Sequence, residues 1–253
     1  MVLRGFCCPA DMEKIKKVKA AGYDYCEVAV SFLMRFSKEE FEQFAKEYKA
    51  VWGTSYSHAG LFPPSVPVAG PEADKNKITE YLEEALKRVG TLGGKFVVFG
   101  SGGSRKVPED FPMEEGMEQI VWAAREAGRV AGKYGITIVM EHLRKEECNT
   151  LNTITDMYDF VKKVNHPSVK LLADYYHMVQ EGEDMDLLPK FLDEIRHMHF
   201  AEPVNRTAPK LTDEFDYKVF FALLDKIGYT GGVSVEARVN DFDLYVKEAI
   251  KVY

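Results

Sequence analysis

Glu141, Asp174, His199 and Glu236 close four consecutive apolar runs in the second half of the chain: Ile136–Met140, Val169–Ala173, Ile195–Met198 and Val233–Val235. Two glutamates, one aspartate and one histidine make an oxygen-rich donor set suited to a divalent cation. Taken singly each is a weak signal, because a polar residue after an apolar run is commonly a turn former or helix cap. Four in the same place after four successive runs form a pattern. If the runs are parallel strands of one closed barrel, the four side chains converge at its C-terminal mouth, where barrel enzymes carry their chemistry.

The rest of the chain supplies such a barrel. Strands are expected at Leu3–Cys8, Tyr23–Val30, Val51–Ser57 and Lys95–Phe99, and then at the four runs that end in Glu141, Asp174, His199 and Glu236. Between them lie helical patterns at Ala10–Ala21, from Ser37 to about Lys49, at Ala73–Leu92, from beyond Pro112 to near Tyr134, and at Asn152–Val164, Met185–Glu194, Asp213–Ile227 and Phe242–Val252. Ser37 and Glu40 form a capping box. Gly93-Gly94 and Gly228 mark helix ends. Strict alternation predicts a parallel sheet covered by helices, with strands that are near-continuous apolar runs. A doubly wound open sheet is the competitor. Eight even units of roughly 32 residues favour closure, an α/β fold of the (β/α)8 TIM barrel type in a single domain over residues 1–253.

Strand parity sharpens the expectation. Alternate residues share a face, so Glu141 brings Val139 and Thr137 inward, His199 brings His197, and Glu236 brings Ser234. The net charge of −7 leaves no basic footprint for nucleic acid. No stretch reaches the roughly 18 apolar residues of a membrane span, and MVLRGFCCPADMEK lacks the apolar core of a signal peptide, so the expected location is cytoplasmic. Cys7, Cys8, Cys26 and Cys148 have no metal-knuckle spacing and read as reduced packing thiols.

The segments ITIVMEH, LLADYYHM, HMHFAEPVNR and GGVSVEAR resemble the metal-site segments of the xylose isomerase-like TIM barrel superfamily. The likeness is to its sugar phosphate isomerase/epimerase branch, which includes ketose 3-epimerases of the tagatose and psicose type. The resemblance implies Glu141, Asp174, His199 and Glu236 as metal ligands, with Glu141 and Glu236 also the acid/base pair. It implies His177, in D-x-x-H, as a substrate contact. Glu147 and Arg206 match substrate contacts too, although one extra residue, Pro203 or Val204, shifts the spacing of Arg206. One imidazole among carboxylates favours Mn²⁺ as the one divalent ion, with Mg²⁺, Co²⁺ or Zn²⁺ open, and the resemblance further implies a small sugar substrate and a homo-oligomer, dimer or tetramer.

The chemistry such a site supports is proton abstraction next to a carbonyl through a metal-stabilised enediolate. One glutamate removes the α-proton and the other returns it to the opposite face, inverting the carbon. The alternative is a lyase or dehydratase on a keto-sugar or keto-inositol, including loss of an aglycone from a 3-keto-glycoside, which shares the deprotonation. An apurinic endonuclease shares the fold and part of the motif, but strand four ends in Phe99-Gly100 where those enzymes resemble F-H, and no D-x-H pair follows His199. A non-catalytic binding role would leave the full ligand set unexplained.

His58, ending strand three, is expected to face the mouth, as a substrate or second-metal contact or else as a structural polar residue. Glu27, ending strand two, could reach the mouth as well. His142 should point away from Glu141, and His197 should sit one layer below His199. The Gly100–Arg105 loop reads as a flexible turn, or else as an anion cradle formed by backbone amides and Arg105. His166, Trp52 and Trp122 read as surface or packing residues, while Phe6 and Phe62 are candidate apolar walls.

Overall fold

Eight stretches become strands: β1 (Leu3–Cys8), β2 (Tyr25–Val28), β3 (Ser57–His58), β4 (Phe96–Phe99), β5 (Thr137–Glu141), β6 (Val169–Asp174), β7 (Ile195–Phe200) and β8 (Gly232–Val235). In the computed structural model, which describes residues 1–253, they form one parallel sheet in the order β2-β1-β8-β7-β6-β5-β4-β3. This is an α/β TIM barrel, nearly closed, in a single domain. Around it lie α1 (Met12–Ala20), α2 (Val30–Leu33), α3 (Lys38–Trp52), α4 (Lys75–Leu92), α5 (Gly102–Arg105), α6 (Met113–Gly132), α7 (Ile154–Val164), α8 (Tyr175–Gln180), α9 (Leu188–Phe191), α10 (Tyr217–Lys226) and α11 (Phe242–Ala249). None of these helices is long and apolar enough to cross a membrane.

The long helices form for the reasons their sequences give. The Ser37 hydroxyl accepts from the Glu40 N–H while the Glu40 carboxylate accepts from the Ser37 N–H, so the capping box is formed. Asp11 and Asp74 cap α1 and α4 without the reciprocal bond, their carboxylates accepting from the Glu13 and Lys14 and the Asn76 and Lys77 N–H groups. Three short helices were not expected. Helices α2, α5 and α8 follow β2, β4 and β6 at the mouth, in stretches too short for helical periodicity to register.

Strand three is the main correction. Val51 and Trp52 belong to the last turn of α3, whose apolar stripe of Phe41, Phe44, Ala45 and Tyr48 carries on through them. The helix ends at Gly53, with φ +73°. Only Ser57 and His58 are left to pair with β4. Between β2 and β3 there is no ladder. The seam is held by side chains and by loops instead. The Ser57 hydroxyl donates to Glu27 Oε1 at 3.0 Å inside the barrel, and His58 Nδ1 donates to the Val28 carbonyl at 2.9 Å outside it. Above them the Val30 N–H donates to the Ala59 carbonyl at 2.8 Å.

The barrel interior is split lengthwise. Val98, Val139 and Leu172 pack together against Phe96 on one side. On the other side stand Glu27, Ser57, His197 and Ser234, all fully buried, above the rings of Tyr25 and Tyr56. Those rings need glycine opposite them. A Cβ on Gly5 would sit 2.2 Å from a Tyr25 ring carbon and 2.5 Å from Ser234 Oγ. Gly5→Ala is therefore expected to destabilise the fold by about 1–3 kcal/mol through overpacking, read as a lowered Tm. An unchanged Tm would mean that the ring moves freely.

Candidate active site

Each of the four ligand-type residues is placed by the end of its strand. Glu141 is the last residue of β5. Asp174 ends β6 and also caps α8, its Oδ1 accepting from the His177 N–H at 3.1 Å. That cap fixes the D-x-x-H spacing on one helical turn. His199 lies opposite Asp174 in the β6–β7 register and opposite Ser234 in the β7–β8 register. Glu236 lies one residue past β8, with its N–H continuing the ladder to the Phe200 carbonyl at 3.1 Å. The ligand atoms of all four lie within 4.8 Å of one another. His199 Nδ1 is 3.1 Å from Glu141 Oε1 and 3.7 Å from Glu236 Oε2. The two glutamates come from the outer strands of this four-strand arc, with Asp174 and His199 between them.

Arg206 reaches the cluster despite the extra residue before it. Its loop turns tightly, because the Glu202 carboxylate accepts from the Val204 and Asn205 N–H groups at 2.8 and 2.7 Å. Arg206 itself adopts φ +55°. Its guanidinium then spans two carboxylates, Glu236 at 2.5 Å and Glu147 at 2.8 Å. Arg144 holds Glu147 from the other side at 2.9 Å. Both guanidinium groups lie over the Tyr176 ring, 5.0 Å from its centre for Arg206 and 5.3 Å for Arg144. His177 is buried, with Nδ1 accepting from the Arg144 N–H at 3.2 Å. Its Nε2 has no partner.

Other expected residues lie elsewhere. His58 does not face the mouth. Ser57 takes the inward position, so His58 points out of the barrel and bonds Ser55 and Val28. Arg105 is no anion cradle: it is fully buried, and its guanidinium donates to the Glu141 carbonyl at 2.7 Å. Gly102–Arg105 of that segment form α5 rather than a flexible turn. His142 is buried too, with Nε2 accepting from the Asp174 N–H at 3.3 Å. Cys7, read as a packing thiol, shares the inward face of β1 with Gly5 and comes within 4.8 Å of ligand atoms of Glu27 and His199. The parity of β1 carried that signal. Gly100 matters through its missing side chain, since a Cβ there would lie 2.0 Å from Glu141 Oε2.

The sequence pattern of the xylose isomerase-like TIM barrel family matches residues 15–252. The chain belongs to that family. It is 27% identical over 211 residues to a D-psicose 3-epimerase of Enterocloster bolteae, covering 79% of this chain and 68% of the relative. It is 23% identical over 239 residues to a 3-dehydro-D-guloside 4-epimerase of Escherichia coli, covering 92% and 88%. Among solved structures, a 3-keto-D-glucoside 4-epimerase from E. coli superposes with a TM-score of 0.84 at 19% identity, over 99% and 98% of the two chains. An AP endonuclease of family 2 from Brucella melitensis superposes with a TM-score of 0.81 at 20% identity, over 97% of each chain, a likeness of fold alone. The curated relatives are sugar epimerases and isomerases.

In this xylose isomerase-like barrel the two glutamates are driven apart electrostatically. Burial, and then the charge of Glu236, push the Glu141 carboxyl up to about 8. Burial opposes ionisation of Glu236 as well, but Arg206 and His199 outweigh it and hold Glu236 far below the usual carboxylate range. Burial raises Asp174, with Arg206 and His199 offsetting part of the shift. His199 is disfavoured as a cation by burial, yet Glu27 and Glu236 hold it well above its ordinary value. Burial and Arg206 keep His177 neutral.

These residues fit a divalent cation. The donors are carboxylate and imidazole, spaced within reach of one ion whose opposite ligands stand about 4 Å apart. Burial, and then the charge of Glu236, raise both Glu141 and Asp174, a cost that a dication would offset. Filling the site requires deprotonated ligands. Near neutral pH Glu141 still carries its proton, and His199, held as the imidazolium, has a second to release from the nitrogen facing the ion. Mn²⁺ binding at pH 7 is therefore expected to release about one to two protons, with affinity rising as pH climbs toward 8. Calorimetry in buffers of different ionisation heat measures this, and uptake of protons or no exchange would contradict the assignment.

Proposed function

We propose that this barrel is a divalent-metal-dependent sugar epimerase or isomerase that moves a proton on the carbon next to a ketone, with Mn²⁺ the preferred ion. Glu141, Asp174, His199 and Glu236 would hold the ion. The substrate class is a ketose or a 3-keto-glycoside, by analogy with the relatives named for 3- and 4-epimerisation. The observation that carries the reading is the pairing of Glu141 with Glu236. Two carboxyl groups from the outer strands of the arc flank one cluster whose ligand atoms lie within 4.8 Å of one another. Two carboxyl groups on opposite sides of a carbon can take a proton from one face and return one to the other.

When bound, a divalent ion polarises the substrate carbonyl and steadies the charge that develops on its oxygen. The remaining work belongs to side chains. Ionised Glu236 takes the α-proton from one face. Glu141, once it has taken up a proton from solvent, delivers it to the other, and the reverse turnover exchanges their roles. Arg206 and Glu147 hold hydroxyl groups, and His177 offers Nε2–H to an oxygen, so that the carbon sits between the two acids. Arg206 is ion-paired with Glu147 and Glu236, and a substrate must share or displace those pairs.

The test is incubation of the Mn²⁺-loaded enzyme with a panel of ketoses and 3-keto-glycosides in deuterated water. Deuterium at the inverted carbon, seen by NMR, is the expected result. No exchange with any member would overturn the reading. Loss of water or of an aglycone, seen by mass, would place the enzyme among lyases that share the deprotonation.

A further inference from the structure

We propose that Glu27, on β2, is the positioning residue that decides which nitrogen His199 offers to the metal. This rests on the metal-site reading above. Glu27 lies inside the barrel, below the ligand cluster, and is fully buried. Four donors converge on its carboxylate. Ser57 Oγ and His199 Nε2 approach Oε1 at 3.0 and 3.2 Å, while His197 Nε2 and Ser234 Oγ approach Oε2 at 2.9 and 2.5 Å. Ionised carboxylate has about four acceptor sites and no donor, so this arrangement fills it.

The chain of donors has a direction. Ser234 spends its hydroxyl proton on Glu27, so the Tyr25 hydroxyl, 2.8 Å away, must donate to Ser234. His197 and His199 must each present Nε2–H, because Glu27 only accepts. In the neutral ring that a metal requires, this leaves His199 Nδ1 with the lone pair, and Nδ1 is the nitrogen facing Glu141 and Glu236. A histidine held the other way round would aim its lone pair at a carboxylate and a proton at the cation. The contacts from His197, Ser234 and Ser57 fix Glu27 from three further strands, so the imidazole ring of His199 has one orientation and one tautomer.

Glu27→Gln tests this. Glutamine keeps the shape but accepts on one oxygen and turns an NH₂ toward the other pair of donors, so one histidine loses its acceptor. The Mn²⁺ affinity of the variant, measured from the EPR signal of free Mn²⁺, is expected to fall by about 10- to 100-fold. In zinc-loaded protein labelled with ¹⁵N-histidine, the wild-type His199 should show a ligated Nδ1 and a slowly exchanging Nε2–H, which the variant loses or shifts. A purely structural Glu27 would lower the Tm and leave both readouts alone. A folded variant that binds Mn²⁺ within about twofold of wild type overturns the proposal, as does ligation of wild-type His199 through Nε2. Should the variant not fold, the wild-type NMR decides by itself. A wild-type chain that holds neither Mn²⁺ nor Zn²⁺ overturns the metal reading; retained binding with an indifferent variant overturns only the role of Glu27.

Discussion

Glu141→Gln and Glu236→Gln are each expected to lower kcat by about 10²–10⁴-fold, and to fail in opposite ways. In Glu141→Gln the base on the Glu236 side survives. It can still remove a proton from the epimer whose C–H faces it and, after exchange with solvent, return a deuteron to the same face. That epimer takes up label without inverting, and the other does not react. Glu236→Gln should show the mirror pattern. The experiment is NMR of each purified epimer in deuterated water at saturating Mn²⁺, because glutamine also weakens the ligand set. Label entering both epimers in either variant, or inversion near the wild-type rate, would rule out one proton carrier per face.

The second large effect is expected at Arg206. Its guanidinium is the chief charge opposing the desolvation of Glu236, and it holds Glu147 as well. Arg206→Met removes that charge, so the Glu236 pKa rises. A base must be deprotonated to act, so the acid limb of the kcat/KM profile moves to higher pH, by about one unit or more. At pH 7 kcat/KM should fall by about 10²-fold or more, since orientation of the substrate is lost together with the base. Arg206→Lys separates the two contributions. It keeps the charge and loses the fork that reaches two carboxylates, so KM should rise while the acid limb stays near its wild-type position. An unmoved limb in the methionine variant would show that Glu236 does not depend on Arg206.

What could be read in the chain follows from the length scale of each signal. Strands β4 to β8 are continuous apolar runs whose last residues can be named, and parity then sets which side chains look inward. Asp174 and His177 share one short motif, so their joint placement was legible. Strand three was not, because Val51 and Trp52 serve the apolar stripe of α3 as well as they would a strand, and helix propagation from the Ser37 cap decides between them. His58 went wrong for the same reason: a one-residue error in where a strand begins reverses every side chain on it. The position of Arg206 depends on a left-handed residue and a turn held by Glu202, neither of which has a residue-type signature. Glu27 could be seen as a strand-end acid, but its four partners come from β3, β7 and β8, and no local spacing announces a contact between residues 27 and 234.

The wall between β2 and β3 has a mechanical consequence. Every other junction in the barrel is zipped by main chain, whereas this one is latched by two side-chain bonds and a loop. One of those latches, Ser57 to Glu27, ends on the same carboxylate that steadies the imidazole at the mouth. Slackening at the weakest joint of the cylinder would be felt first at His199, the nitrogen donor of the proposed metal site, rather than at its carboxylates, and the amide hydrogens of Ser57 and His58 are the place to watch it happen.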